Sequence, residues 1–267
     1  MTMPPPPPTP PPLYPTAPPP LDNPHAWELV TSPGNVFTVV VPRGWFRDLQ
    51  QRQTGPASVV RWAVTGSPDG ATTIITADPD IPDFVAPGAP ARPGAAVMAA
   101  APAEQWAQNY LTFNLGQKPD FRITHQAASQ STQTHMRALR EDGAINFTWD
   151  SAAEVSATYT EGDVTRSVAV IAWTGGGDFG EWTARAIRVL SSGDARAFVP
   201  AALKITHSLE LTPGERLRQG FGGENAAWLG AWGKKAARGL NKAVEDIGGN
   251  RQQPPRPPQP PGDQPRT

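Results

Sequence analysis

The nine residues 37–45 read FTVVVPRGW, and their β-branched and aromatic side chains decide how the fold begins. Such side chains pack well on a pleated surface, so they favour a strand over a helix. A Pro-Gly pair at positions 33 and 34 precedes the run and Pro42 ends it, and these residues interrupt regular structure. The stretch predicts a strand over residues 36–41, with Trp45 just past its end.

Two more strands are predicted downstream, over residues 58–64 and 71–77, because both runs are rich in β-branched residues. The residues between them, SPDG at 67–70, are those of a hairpin turn. Residues 79–94 are rich in Pro, Gly and Ala. This composition predicts a long irregular connection.

The hydrophobic period changes after Pro102, where Trp106, Tyr110 and Phe113 recur at helical spacing. Apolar residues also occupy the adjoining face of the same segment. Gly116 is well placed to end the helix as a C-cap. The pattern predicts one amphipathic helix between these two end residues.

A strand-rich block is predicted from Phe121 to about Leu190. Apolar and polar residues alternate in it, as at 145–149 and 155–159, which is typical of strands with one covered face. Turns at Asp142-Gly143 and at residues 161–163 separate successive strands, so we expect an antiparallel meander.

A second helix is predicted after the sequence SSGD at residues 191–194, because Phe198, Ala202 and Ile205 form one apolar stripe. Residues 207–211 then close the domain. This order of elements predicts the α+β fold class, with an antiparallel β-sheet packed with helices.

Proline divides the chain into regions that can and cannot fold. Of 33 prolines, 20 lie in the first 24 and last 17 residues, where few apolar side chains offset the entropy of ordering. We therefore expect disordered proline-rich tails at 1–24 and 250–267, an α+β domain at 25–212, and a linker with an amphipathic helix at 213–249. The string Pro11-Pro12-Leu13-Tyr14 matches a WW-domain ligand, but a proline-dense tail produces such strings easily.

Composition excludes several classes of function. The 267 residues include no cysteine, which excludes thiol catalysis and cysteine-based metal sites. The formal net charge of −1 gives no field that would attract nucleic acid, so we expect no nucleic-acid partner. The first 24 residues hold no Lys or Arg, and no apolar run approaches the ~20 residues of a membrane span. We expect a cytoplasmic protein.

The strand followed by Pro-x-Gly-Trp at residues 37–45 resembles the opening of PsbP-like and Mog1-like domains. The later order of elements agrees, and residues 205–209, ITHSL, are similar to the Ser-hydrophobic ending of those domains. The resemblance implies an antiparallel sheet between helices. It also implies a binding or assembly role, because such relatives are mostly accessory subunits, small-GTPase binders or uncharacterised bacterial proteins. It places no binding residue on this chain.

The sequence carries no recognisable catalytic or cofactor motif. His25, His125, His135 and His207 do not fall at ligand spacing, and no HExxH string is present. His125 and His135 would face each other on neighbouring strands, or are simply polar surface residues of a hairpin. The glycines at 175–177 open no phosphate-binding helix and indicate a strand connection. We expect no cofactor, no metal and no enzymatic activity.

Two groups of residues are candidates for contact within the domain. Asp78, Asp80 and Asp83 place three carboxylates just after a strand; they lack the glycine and glutamate of a calcium loop, so turn initiation by Asp-Pro is the competing interpretation. Four tryptophans of the predicted strands are either core residues or an exposed aromatic platform. These are Trp62, Trp149, Trp173 and Trp182.

A basic amphipathic helix is predicted within residues 226–247. Its apolar stripe includes Trp228, Trp232 and Leu240, which suits a membrane surface or the groove of a partner. Packing of this stripe back on its own domain is the alternative. The basic residues around the stripe are Lys234, Lys235, Arg238 and Lys242.

Three functions follow from these patterns. The first is a non-enzymatic accessory domain that binds an unknown protein partner, through the C-terminal helix and the loop at 78–93. The second is a peripheral membrane module that uses the same helix. The third is a small-ligand-binding domain or hydrolase, which requires a concave pocket with convergent polar groups.

Overall fold

The computed structural model describes residues 17–53, 59–141, 147–177 and 180–215. The chain divides into two compact units, Met1–Gly233 and Lys234–Thr267. The second unit lies outside the described residues. Both proline-rich tails are also outside them, apart from residues 17–24. The predictions of disorder in the tails therefore stay predictions.

The described residues form twelve strands and three α-helices, joined by turns and short 3₁₀ segments. The helices are α1 (Ala103–Leu115), α2 (Gln130–Glu141) and α3 (Val199–His207). The strands are β1 (Trp27–Thr31), β2 (Phe37–Pro42), β3 (Phe46–Gln53), β4 (Val59–Gly66), β5 (Thr72–Ile75), β6 (Asp83–Val85), β7 (Ala96–Val97), β8 (Arg122–Ala128), β9 (Trp149–Glu161), β10 (Val164–Gly176), β11 (Glu181–Ser191) and β12 (Glu210–Leu211).

Two sheets carry these strands. A three-stranded sheet has the order β1-β2-β12, and a nine-stranded sheet has the order β3-β4-β5-β11-β10-β9-β8. The short strand β6 pairs with β11 in antiparallel orientation and completes the large sheet together with β7. The pairing of β7 with β6 is parallel. Every other pairing is antiparallel. The predicted α+β class with antiparallel sheets and helices is confirmed.

The large sheet has a hydrophobic core on each face, because alternate residues of a strand point to opposite sides. Residues such as Ile171 and Val189 pack with α3 and the small sheet, while Val170 and Ala184 pack with α1. Burying a side chain such as Val170 completely contributes about 1.5–3 kcal/mol. The central strands β10 and β11 therefore bury apolar residues on both faces.

Helix α1 occupies the predicted position, but its buried face is slightly rotated from the predicted stripe. Ala103, Trp106, Ala107 and Leu111 are buried, whereas Phe113 in the last turn is 88% exposed. On a helical projection Phe113 lies about 20° past Trp106, at the edge of the buried arc, and about two turns further along the helix.

Strand β6 lies inside the connection at 79–94 that was predicted to be irregular. Two other elements, β3 and α2, were missed because they are too polar for a hydrophobic period to reveal them. Strand β3 buries only Leu49, since it is an edge strand with one neighbour. Helix α2 interrupts the region in which a continuous strand meander was predicted. Met136 is its one buried side chain among those described. In the predicted strand at 145–149, residues 145 and 146 lie outside the described part of the chain, and β9 begins at Trp149.

Candidate functional site

The loop after β5 begins with the turn that its Asp-Pro sequence predicts. The Asp80 N–H donates to Asp78 Oδ1 at 3.0 Å, and the Ile81 N–H donates to the Asp78 carbonyl at 3.4 Å. The Asp78 N–H itself donates to the Ala186 carbonyl of β11 at 3.2 Å. The loop is therefore fixed to the sheet at its first residue.

The Asp78 carboxylate points toward helix α1 and stabilises the fold. It accepts a hydrogen bond from the Tyr110 hydroxyl, and Arg188 Nη1 lies 3.7 Å from its Oδ2 atom. Arg188 also donates to the Tyr110 oxygen at 3.2 Å. Burial raises the pKa of the Tyr110 hydroxyl, and the bond to Asp78 adds to that rise against the opposing charge of Arg188.

Asp80 and Asp83 each pair with a different arginine. Asp80 Oδ1 lies 3.2 Å from Arg52 Nη1 of β3, and Asp83 Oδ1 lies 2.8 Å from Arg185 Nη2 of β11. The three predicted aspartates therefore do not converge on one point. In the part of the chain that the structure describes, no three His, Asp or Glu side chains form a group that could hold a metal ion.

The outer side of the loop borders a cleft of about 270 Å³. Its charged lining consists of three guanidinium groups, Arg52, Arg92 and Arg185, and two carboxylates, Asp80 and Asp83. This lining carries a surplus of one positive charge. Prolines from the loop and from residues 92–95 form part of the wall. We call this the arginine cleft.

The arginine cleft is positioned by strand pairing. Strand β6 pairs with the start of β11, so that Asp83 lies opposite Thr183, two residues before Arg185. The Thr183 hydroxyl donates to Asp83 at 3.2 Å. Burial alone would raise the pKa of Asp83, but Arg185, Thr183 and Arg92 together hold that pKa below its usual value.

An aromatic cluster on the other face of β11 supports the same strand. Phe84 and Trp182 stack with ring centroids 4.4 Å apart, and Trp149 lies 6.4 Å from Trp182. The Trp182 indole N–H donates to the Met98 carbonyl at 2.9 Å, which fixes the end of the segment that carries Arg92. The strand that forms the base of the cleft is therefore packed against aromatic side chains on its other face.

The ion pairs of the arginine cleft differ in exposure. Arg52 and Asp80 are 48% and 84% exposed, and Arg92 and its partner Glu181 are 44% and 55% exposed. Arg185 is only 19% exposed. The first two pairs are surface interactions worth roughly 0–1 kcal/mol, whereas the Arg185 pair belongs to the framework.

Sequence reasoning identified the aspartates of this site but missed its arginines. Arg52, Arg92 and Arg185 lie on β3, on a loop and on β11, so no spacing along the chain connects them. The alternation of Glu181, Thr183 and Arg185 on one face of a strand was the only local signal. This alternation predicts a polar face on the strand, but it does not indicate which other segments of the chain contact that face.

The interpretation that His125 and His135 face each other on neighbouring strands is wrong. His125 lies on β8, but His135 lies on α2 and stacks on His207 of α3 with ring centroids 4.9 Å apart. A hollow of about 30 Å³ lies beside this pair, between Met136, Trp173 and Arg185. Burial lowers the pKa of His207 to about 4.

The four strand tryptophans form no exposed platform. Trp173 and Trp182 are buried, and Trp62 and Trp149 are half-buried. The interpretation of these side chains as core or half-buried sheet residues is confirmed.

The predicted C-terminal contact residues lie outside the described part of the chain. They are Trp228, Trp232, Lys234, Lys235, Arg238, Leu240 and Lys242. The same holds for the possible WW-domain ligand at 11–14. None of the helices that the structure does describe has the length and apolar character to cross a bilayer.

Comparison with known proteins leaves the family open. No family model matches the chain, and no curated protein matches it. Among solved structures it is similar to LpqN of Mycobacterium tuberculosis, described as involved in cell envelope biogenesis, at 13% identity and a TM-score of 0.28. That match covers 76% of this chain and 86% of LpqN.

A second solved structure is PA94 of Pseudomonas aeruginosa, described as a protein of unknown function and putative regulator. It matches at 11% identity and a TM-score of 0.24, covering 66% of this chain and 90% of PA94. Both similarities are weak structural relationships, and neither bears on the function of this chain.

Proposed function

We propose that this chain is a non-enzymatic accessory domain of the PsbP/Mog1 type that binds a protein partner in the cytoplasm. The resemblance of residues 37–45 to that family supports the type. The observation that carries the binding role is the arginine cleft, an open concave surface whose base is packed against the aromatic cluster. Its two exposed ion pairs leave Arg52 and Arg92 accessible to a partner.

The proposal is tested by affinity purification with the full-length chain as bait. The cleft variant carries Arg52→Gln and Arg92→Gln, and its control carries Arg47→Gln and Arg122→Gln, two arginines at other positions on the large sheet. We expect quantitative mass spectrometry to find a partner that the cleft variant loses and the control keeps. Equal recovery with both variants would remove the cleft from the proposal.

A peripheral membrane role is the second candidate, and the sequence of residues 226–247 favours it. Trp228 and Trp232 on one stripe, with Lys234 and Lys235 beside it, fit the interface of an anionic membrane. We expect the full chain to co-sediment with vesicles containing phosphatidylserine, and Trp228→Ala with Trp232→Ala to abolish this binding. Absence of salt-sensitive binding by the unaltered chain would contradict the membrane role.

A further inference from the structure

We propose that the arginine cleft recognises an acidic segment of the partner, whose carboxylates bind Arg52 and Arg92. This inference rests on the proposed binding function and adds the chemistry of the partner. The same chemistry would be offered by a small dicarboxylate, but the observations favour a peptide segment.

The cleft already shows how it holds carboxylates. Arg52 Nη1 lies 3.2 Å from the Asp80 carboxylate, and Arg92 Nη1 lies 2.8 Å from that of Glu181. Guanidinium groups bind carboxylates in a fixed geometry, often through two parallel bonds. Asp80 and Glu181 therefore occupy the places that carboxylates of a partner would take.

Exchange of these carboxylates costs little. Asp80 is 84% exposed and Glu181 is 55% exposed, so both regain full hydration when they leave their arginines. Exposed ion pairs of this kind contribute little to stability. Once both carboxylates have moved away, the cleft presents two uncompensated positive charges to an acidic ligand.

Arg185 has a different role in this site. It is 19% exposed and stays paired with Asp83, which the Thr183 hydroxyl also holds. This pair adds no net charge to the lining of the cleft, which it shares with the two exchangeable arginines. The proposal therefore assigns recognition to Arg52 and Arg92, and positioning to Arg185.

The size and the wall of the cleft favour a peptide segment over a free anion. A volume of about 270 Å³ lies just below the ~300–1,000 Å³ of pockets that enclose small molecules. The wall also contains accessible apolar groups, including the half-buried Val60 and the exposed Pro93, which suit the backbone and aliphatic parts of a peptide. A free anion would leave these groups uncovered.

The test uses the full chain and a fluorescein-labelled peptide with four glutamates among glycines, measured by fluorescence anisotropy at low salt. Arg52→Gln and Arg92→Gln should each weaken binding, by up to about five-fold. Asp80→Asn should strengthen it by a similar factor, because the internal competitor is gone. Arg47→Gln should leave the affinity unchanged, since Arg47 pairs with Glu28 away from the cleft lining.

Several results would overturn the proposal. Loss of affinity in Asp80→Asn would show that Asp80 is not a competitor, and equal loss in Arg47→Gln would show unspecific attraction. Equal binding of a glutamine peptide would remove the role of charge. If glutarate binds as tightly as the peptide and displaces it, the ligand is a small dicarboxylate and the peptide assignment falls.

The experiments distinguish a failure of the acidic-ligand inference from a failure of the proposed partner-binding function. If the glutamate peptide does not bind, while the variant with Arg52→Gln and Arg92→Gln still loses its natural partner, the cleft remains the binding surface and only the acidic chemistry is refuted. Circular dichroism melting curves of each variant establish that the changes in binding arise from folded protein.

Discussion

At the scale of single residues, Gly176 shows how backbone space positions the aromatic cluster behind the arginine cleft. A Cβ atom at this glycine would lie 2.8 Å from two atoms of the Trp149 ring and 2.9 Å from the Glu181 carbonyl oxygen. These distances are too short for nonbonded contact, so Trp149 or the strand would have to shift. The neighbouring Gly177 has no atom within 4 Å of such a Cβ.

We therefore expect Gly176→Ala to lower the free energy of unfolding by about 1–3 kcal/mol, the usual cost of overpacking. Gly177→Ala is the matched control and should change it by less than about 0.5 kcal/mol. Urea denaturation followed by tryptophan fluorescence measures both. An unchanged midpoint in Gly176→Ala would mean that Trp149 moves aside freely.

These glycines also show the limit of sequence reasoning for a single residue. The run at 175–177 was predicted to be a strand connection, but Gly175 and Gly176 are paired residues of β10, opposite Asp150 and Trp149. Sequence marks a glycine as permissive. It does not reveal that an aromatic ring from another strand needs the space.

At the scale of elements, helix α1 packs on the sheet through an apolar interface, and Tyr110 adds a polar contact to the loop after β5. The Tyr110 hydroxyl donates to Asp78, at the start of the loop that forms the cleft. Only 9% of the Asp78 side chain is exposed, so water replaces a lost donor poorly. Removing a partner from a buried polar group costs about 1–3 kcal/mol.

Tyr110→Phe should therefore lower the free energy of unfolding by about 1–3 kcal/mol without changing the ring packing on Trp106. Tyr159→Phe provides a control, because it removes the hydroxyl of another buried tyrosine, one that does not bond to Asp78. Thermal denaturation of both variants gives the comparison. Equal destabilisation by the two would show that Asp78 gains nothing specific from Tyr110.

Elements with a strong hydrophobic pattern were predicted well, and those without one were missed. Strand β2 and helices α1 and α3 each present an apolar face, so their types and approximate positions were predicted. Helix α2 buries only Met136 among its described side chains, although its Gln, Arg, Ala and Glu residues are good helix formers. Propensity would have identified it where periodicity did not.

At the scale of the whole molecule, the packed region continues past both predicted ends of the domain. Arg61 of β4 forms a buried ion pair with Glu215, with 3.6 Å between Nη2 and Oε1. At the other end, the Trp27 indole N–H donates to the Pro20 carbonyl, and the Lys204 ammonium donates to the Leu21 carbonyl. The boundaries at 25 and 212 stay predictions, but a truncation after Thr212 would leave Arg61 buried without Glu215.

The fold class was predictable as a whole, whereas the arginine cleft was not. Alternation along strands fixes which residues are buried, and from this the α+β class follows. The cleft depends on β3, the loop at 79–83 and β11 meeting at one place. That meeting is set by strand order in the sheet, which a single sequence leaves open.

The stability of the whole molecule is expected to depend on pH. The pKa of His207 is lowered to about 4 by burial, from an ordinary value near 6.5. An unfolded chain therefore binds a proton there between about pH 6.5 and 4 that the folded chain does not, and folding loses stability as the pH falls through that range. Asp83, whose pKa is lowered, adds a further loss only as the pH falls below its ordinary value of 3.8.

We expect the free energy of unfolding to fall by at most about 1 kcal/mol between pH 7 and pH 4.5 because of His207. This is less than the full shift of its pKa implies, because His207 is exposed at the surface and solvent screens it. His207→Gln should remove this part of the slope, while His25→Gln, in the 3₁₀ turn before β1, should keep it. Urea denaturation at pH 7, 5.5 and 4.5 measures the slope. An identical slope in His207→Gln would place the pH dependence elsewhere, and the stacked pair with His135 would then have no part in acid unfolding.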